Sequence, residues 1–313
     1  MPTLSKQQLH DLTQGIFCQA GAPRDLADQV AEVLVDNHLA GHDSHGILRI
    51  PEYLKSIADG EIVPTARPEV IQETPASALV QGHWALGQAT GIFAADLAIA
   101  KAKAHQVAVV SVVQAAHTGR LAAFTERAAR QDVVMFMAIG TVDRPMTAPF
   151  GGAAAVLGTN PVAFSLPNPG GAPITLDIAT SAIAAGKVKV AKARHENLPP
   201  DVIVDKHGNP STNPQDFMDG GFLLPFGGHK GYALAVIAEL LSGPLIGGRI
   251  FPCRDATQRH LHLRHEGRSI PRHARLCRCP RRSLGSDQRG ASCAWVSGGA
   301  GSGRARGPHP RAS

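Results

Sequence analysis

Apolar residues recur at helical spacing near the start of the chain. Leu9, Leu12, Ile16 and Phe17 mark one stripe, and Leu26, Val30, Val33 and Leu34 mark a second. Ser5 with Gln8 three positions on reads as a capping box opening the first helix. Gly21-Ala22-Pro23 separates the two. The second stripe runs into Gly41-His42-Asp43-Ser44-His45-Gly46-Ile47-Leu48-Arg49. Continued as helix, that stretch places His42, His45 and Arg49 on one face, since they are three and four residues apart. Pro51 is expected to disturb any helix running beyond Arg49.

Residues 60–83 hold Pro64, Pro68 and Pro75 between short apolar runs, which predicts loop and short strands. From Thr90 through Phe93, Leu97 and Ala100 to Lys103 the period is helical again. Val107–Val113 and Val133–Ile139 are β-branched or apolar runs, expected as buried strands, with a helix over Thr118–Arg130 between them. Ala163–Leu166, Ile174–Ile178 and Val202–Val204 are further strand candidates, and His229–Leu241 is an Ala- and Leu-rich helix. Alternating strand and helix predicts an α/β architecture. No apolar run reaches membrane-spanning length, and the first residues lack a signal-peptide pattern, so a soluble, cytoplasmic body is expected.

Composition divides the chain of 313 residues in two. Residues 1–250 carry 9 Lys and 9 Arg against 22 acidic residues; residues 251–313 carry 13 Arg, no Lys and 3 acidic residues. The net charge of +6 therefore comes from the last fifth, and a nucleic-acid reading of the whole would rest on that tail alone. Cys18 is the only cysteine before residue 250, whereas Cys253, Cys277, Cys279 and Cys293 lie beyond it. A body with one cysteine suits a reducing compartment. The tail has one Ile and one Val, too little to bury a core, so it is expected to be disordered. It resembles a GC-rich gene read in the wrong frame, and a chain that lost its last domain segment this way would be weakly active or dead. A basic nucleic-acid arm, or a metal site built on Cys277 and Cys279, ranks lower because the Cys and His spacing is irregular.

Five stretches carry candidate chemistry. Gly41–Arg49 combines imidazoles that titrate near neutrality with a guanidinium that can grip a carboxylate through two parallel hydrogen bonds, the needs of a 2-oxo acid reductase. His38, His42 and His45 have metal-compatible spacing, but no Cys or Glu completes a zinc pattern, and no metal is expected. His117-Thr118-Gly119-Arg120 sits between a strand and a helix start, where free amides attract anions. Gly158-Thr159-Asn160-Pro161 follows a small-residue loop beginning at Phe150-Gly151-Gly152. Leu176-Asp177-Ile178-Ala179-Thr180-Ser181 places a carboxylate at a strand end. Leu224-Pro225-Phe226-Gly227-Gly228-His229-Lys230-Gly231-Tyr232 delivers a lysine to a helix start. Each also has an ordinary reading as a solvated face, a cap, a turn or a hinge. No Gly-x-Gly-x-x-Gly follows a strand, which argues against a standard dinucleotide fold.

In order and wording these stretches resemble the malate/L-lactate dehydrogenase family over roughly residues 4–248. This is the NAD(P)-dependent group of ureidoglycolate, sulfolactate and 2-hydroxycarboxylate dehydrogenases and of piperideine- and pyrroline-2-carboxylate reductases, distinct from Rossmann-type lactate and malate dehydrogenases. The resemblance implies a mixed-sheet, non-Rossmann fold, NAD or NADP as cofactor, a small carboxylate substrate and a homodimer. It implies an N-terminal helical segment over 1–85, an α/β cofactor- and substrate-binding region over 86–250, and a non-family tail over 251–313. His45 would exchange the proton at C2 oxygen, supported by Ser44 and by a relay from Asp177. His117 is its rival, because the matching histidine of ureidoglycolate dehydrogenases is assigned as proton acceptor. Arg49 would hold the substrate carboxylate, with Thr159 and Asn160 nearby. Cofactor contacts would come from His117, Thr118, Gly119, Leu176, Asp177, Ile178, Gly228, His229 and Lys230. The wording of Ala40–Gly46 most resembles the hydroxycarboxylate dehydrogenases, and the cyclic imine reductases are the close alternative.

Overall fold

The computed structural model describes residues 3–140 and 145–246. The expectations placed on residues 251–313 lie outside the described residues. Helix α1 (Lys6–Gln19) opens with the expected capping box, Ser5 and Gln8 bonding reciprocally. Helix α2 (Arg24–Leu39) packs along it and buries Leu26, Val30 and Leu34 against Phe17 and Tyr53.

Helix α2 does not continue into the Gly41–Arg49 stretch. Gly41 takes φ +78°, and the amides of Gly41 and His42 bond back to the carbonyls of His38 and Asn37. That is a Schellman stop, which a side chain at Gly41 would resist. Two 3-10 turns follow, Asp43–His45 and Ile47–Arg49, and then helix α3 (Ile50–Ala58). Pro51 does not disturb this helix. It sits in the first turn, where a missing N–H costs nothing.

Strands β1 (Glu69–Glu73) and β2 (Ser77–Gln81) form an antiparallel pair with an irregularity between Val70 and Gln72. Helix α4 (Gly87–His105) then carries the chain to β3 (Val109–Val113), which runs parallel to β2. Strand β3 is half-buried along its length rather than buried, because it forms one edge of this three-stranded sheet. The expected helix over Thr118–Arg130 shortens to α5 (Ala122–Ala129). Strands β4 (Met135–Ala138), β5 (Val162–Leu166) and β6 (Ile174–Ile178) make a second, antiparallel sheet. After helix α6 (Ala185–Arg194) come β7 (Ile203–Val204), β8 (Pro210–Ser211), the short helix α7 (Pro214–Met218) and β9 (Phe222–Leu223). These strands make a third sheet, ordered β8-β7-β9. Helix α8 (His229–Ser242) follows. The fold is mixed α/β with small sheets, in line with the non-Rossmann expectation. No helix among the described residues is long and apolar enough to cross a membrane.

One contact sets the geometry around the site. At Gly87 an added Cβ would lie 2.3 Å from the carbonyl oxygen of His117. The start of α4 therefore presses directly on the backbone of the 114–118 loop. This close approach brings Gln88, the next residue, against both Tyr53 and His117.

Candidate active site

The site is built where the broken end of α2 meets the loop after β3. The 3-10 turn carrying His45 is held by a buried polar chain. Asn37, fully buried in α2, donates from Nδ2 to the His45 carbonyl at 3.0 Å and accepts from Arg120 Nε at 3.0 Å. Arg120 in turn pairs with Glu126 at 3.2 Å. Each Asn37 atom meets a partner of the opposite kind, so the side-chain orientation is fixed by chemistry.

His45 and His117 stack with ring centroids 5.8 Å apart and planes inclined by 26°. A hydroxyl engages Nδ1 of each. Ser44 Oγ lies 3.0 Å from His45 Nδ1, and Tyr53 Oη lies 2.7 Å from His117 Nδ1. His117 is exposed, whereas His45 is half-buried. Burial pushes the His45 imidazole down to about 4, helped by the charges of Arg49, His42 and Arg120 and opposed by Glu52. At neutral pH this ring is uncharged. Burial likewise holds the Tyr53 phenol well above its ordinary range, so its proton stays in place.

Arg49 shares no continuous helix face with His45, yet it reaches back to the same turn. Its Nε donates to the Ser44 carbonyl at 2.7 Å and its Nη1 pairs with Glu52 at 2.5 Å. Part of the guanidinium fork is thus spent on holding the turn. His38 lies beside Asp43, with 3.0 Å between Nδ1 and Oδ1. No group of three metal-ligating side chains occurs among the described residues.

Asp177 departs from expectation. The relay predicts a hydrogen bond to imidazole or hydroxyl, but Oδ2 accepts from the Ala122 amide at 2.8 Å. Ala122 opens α5, and the free amides of a helix start attract a carboxylate more strongly than a neutral hydroxyl does. Burial raises the Asp177 carboxyl above its usual value; the Ala122 amide, Arg120 and His42 oppose this. Arg120 and His42 act on both Asp177 and His45, so the two groups share one electrostatic neighbourhood. Leu176 is exposed on the same strand and Ile178 is half-buried.

The other predicted residues fall into two groups. Thr118 and Gly119 are buried, and Gly119 (φ +92°) lies against Asn37 and the His45 carbonyl, so this motif belongs to the site. Asn160 does not open toward the histidines. It is fully buried and donates from Nδ2 to Ala235 O at 3.0 Å and Glu239 Oε2 at 2.7 Å, tying its loop to α8. Thr159 contributes its carbonyl to the Thr180 amide and hydroxyl at the end of β6. Gly228 (φ +62°) precedes α8, whose first residues, His229 and Lys230, are exposed. His229 packs edge-on against Phe150 at 5.9 Å, and the Lys230 ammonium has no ion-pair partner among the described residues.

Tyr53, Gln88 and Asn37 are the site residues absent from the sequence motifs, whereas Arg120 lies in the His117–Arg120 motif without a role of its own there. Each of the first three is a polar group in or beside an apolar helical stretch, and that mismatch is the one signal they leave in the sequence.

The family model described as malate/L-lactate dehydrogenase matches residues 4–269, past residue 248, where the resemblance read from the sequence ends. Hydroxycarboxylate dehydrogenase B of Escherichia coli (strain K12) is 39% identical over 245 residues, 78% of this chain and 68% of that protein. Malate/(S)-sulfolactate dehydrogenase of Methanothermus fervidus is 37% identical over 243 residues, 78% of this chain and 70% of that protein. The crystal structure of delta1-piperideine-2-carboxylate reductase from Pseudomonas syringae superposes with TM-score 0.77 at 37% identity. It covers 82% of this chain and 77% of that one. With the motifs in order, the fold in common and this identity over most of both chains, the chain belongs to the malate/L-lactate dehydrogenase family.

Proposed function

We propose that the chain is an NAD(P)-linked oxidoreductase acting at C2 of a small 2-hydroxy or 2-oxo carboxylate. The observation that carries this reading is the stacked His45–His117 pair, each Nδ1 met by a hydroxyl, with Arg49 beside it. His45 exchanges the proton at the C2 oxygen through Nε2, while Ser44 Oγ holds Nδ1. Burial keeps His45 neutral, the form that has a ring nitrogen open to the alcohol proton. Arg49 anchors the substrate carboxylate with the N–H groups not spent on Ser44 and Glu52. Asp177 supports the pair indirectly, by fixing the start of α5 next to Thr118–Arg120. Thr159 and Asn160 shape the site through the loop they brace, Asn160 from a position turned into α8.

The residues fit a nicotinamide dinucleotide. Lys230 offers an exposed cation at the α8 start, and Gly228 leaves that backbone bare of side chain. Lys230, Gly228 and His229 would hold its polar end, with Thr118, Gly119, Leu176 and Ile178 nearer the ring. Bound there, the nicotinamide supplies or takes the hydride. The family resemblance also supports a homodimer.

A second reading of the proton exchange has its own support. His117 is the more exposed of the two rings and so the more open to substrate, which favours His117 as the group exchanging the proton. A cyclic imine-2-carboxylate makes the same demands as a 2-oxo acid and is the alternative substrate class, as in the Pseudomonas relative's name.

The test is direct. The full chain is assayed with NADH and with NADPH against a panel of 2-oxo acids and cyclic imine-2-carboxylates, following nicotinamide absorbance. Turnover of 2-oxo acids is expected. Turnover of the imines alone would move the chain to the reductase class, and no turnover of either would overturn the reading.

A further inference from the structure

We propose that Tyr53 and Gln88 are positioning residues that lock His117 in its Nε2–H tautomer, making His117 a hydrogen-bond donor to the C2 oxygen and leaving the proton exchange to His45. The tautomer follows from the donors and acceptors alone; its use in catalysis rests on the function proposed above.

The His117 backbone oxygen can only accept, so the Gln88 side-chain atom facing it at 3.3 Å must be the amide nitrogen. That same nitrogen lies 2.9 Å from Tyr53 Oη, which therefore accepts from Gln88. Tyr53 Oη has one proton left to give. Tyr53 is 3% exposed, and its polar contacts are Gln88 and His117 Nδ1. If His117 carried its proton on Nδ1, the buried Tyr53 proton would have no acceptor, an arrangement that costs the full desolvation of the group. Tyr53 therefore donates to Nδ1, and the neutral ring carries its proton on Nε2. Both supports are fixed by packing. Gln88 is 1% exposed and sits one residue past Gly87, where α4 meets the His117 backbone; Tyr53 is packed in the core with Phe17.

A neutral imidazole wired this way has no lone pair left for an incoming proton. Nδ1 is engaged by Tyr53 and Nε2 is already protonated. It can polarise a carbonyl or steady an alkoxide by donating a hydrogen bond, with no proton transferred. His45 lacks such a lock. Its Nδ1 partner is a serine hydroxyl, which can donate or accept, so both tautomers are available to it as a proton moves. The two stacked rings thus divide the work.

The test is nitrogen-15 NMR of the histidine side chains in the full chain without ligands, His117 being assigned by His117→Gln. Long-range proton–nitrogen correlations report which ring nitrogen carries the proton. In the unsubstituted chain His117 is expected in the Nε2–H form. Tyr53→Phe removes the donor and should turn it into a mixture of tautomers, with kcat down roughly a hundredfold, the low end for a positioned acid–base group, and KM little changed. Gln88→Leu removes the fixed donor to Tyr53 and is expected to loosen the lock in the same direction. It also serves if Tyr53→Phe does not fold. An Nδ1–H ring in the unsubstituted chain, or an unchanged tautomer in the variants, would overturn the proposal. A chain with the expected tautomer that turns over no carboxylate substrate would leave the wiring standing and refute the catalytic use instead.

Discussion

Tyr53 Oη and His117 Nδ1 lie 2.7 Å apart although 64 residues separate them in the chain. The bond joins helix α3, just past the broken end of α2, to the loop after β3. It places His117 where its ring stacks on His45. The site is therefore a junction of two segments. Its precision depends on the buried polar chains through Gln88 and Asn37 on either side.

Arg49→Lys should raise KM for every carboxylate substrate by about tenfold or more, since an ammonium cannot reproduce the fork. It should also lower kcat, because Arg49 Nε holds the Ser44 carbonyl and with it the Ser44–His45 turn. Steady-state kinetics with two or three 2-oxo acids would check this. An unchanged KM would remove Arg49 from the carboxylate site.

Acid should destabilise the fold in part through His45. Its imidazole titrates at 6.5 in the unfolded chain and about 4 in the folded one. Between those values the unfolded chain binds the extra proton, so stability falls as pH drops from 6.5 toward 4. Above 6.5 this group contributes no slope. The loss amounts to at most about 3 kcal/mol, less for the part of the ring that water still reaches. Urea midpoints measured across that window should fall less steeply in His45→Gln than in the parent. Parallel slopes would show that His45 is not held neutral by burial.

Much of the framework is legible in the sequence. The Ser5–Gln8 capping box, the strands at 162–166 and 174–178, and the helix from His229 follow from local pattern. The break at Gly41 does not, because the three- and four-residue spacing of His42, His45 and Arg49 suits a continued helix and only the glycine signals a stop. Asp177 reads correctly as a carboxylate at a strand end. Which partner it takes depends on α5 beginning at Ala122, four residues later than the expected start at Thr118. Gln88 and Tyr53 were invisible for a different reason: their meaning lies in a hydrogen bond to a residue far along the chain, and no spacing rule reports that.

Lys230→Met should weaken binding of the reduced cofactor about tenfold, the loss of one exposed cation near a phosphate or ribose. The effect should shrink as salt is raised. Fluorescence titration with NADH and NADPH at two ionic strengths would measure it. Equal affinity in variant and parent would take the start of α8 out of the cofactor site.

One of the two stacked imidazoles moves the proton, and His45 is the one expected to do so. The most direct measurement compares His45→Ala with His117→Ala in the full chain, recording kcat for 2-oxo acid reduction alongside cofactor affinity. His45→Ala is expected to lose about two to four orders of magnitude in kcat with cofactor affinity near that of the parent. His117→Ala, losing a hydrogen-bond donor, is expected to lose less. A parent-like rate in His45→Ala together with a dead His117→Ala would contradict the account and make His117 the acid–base group.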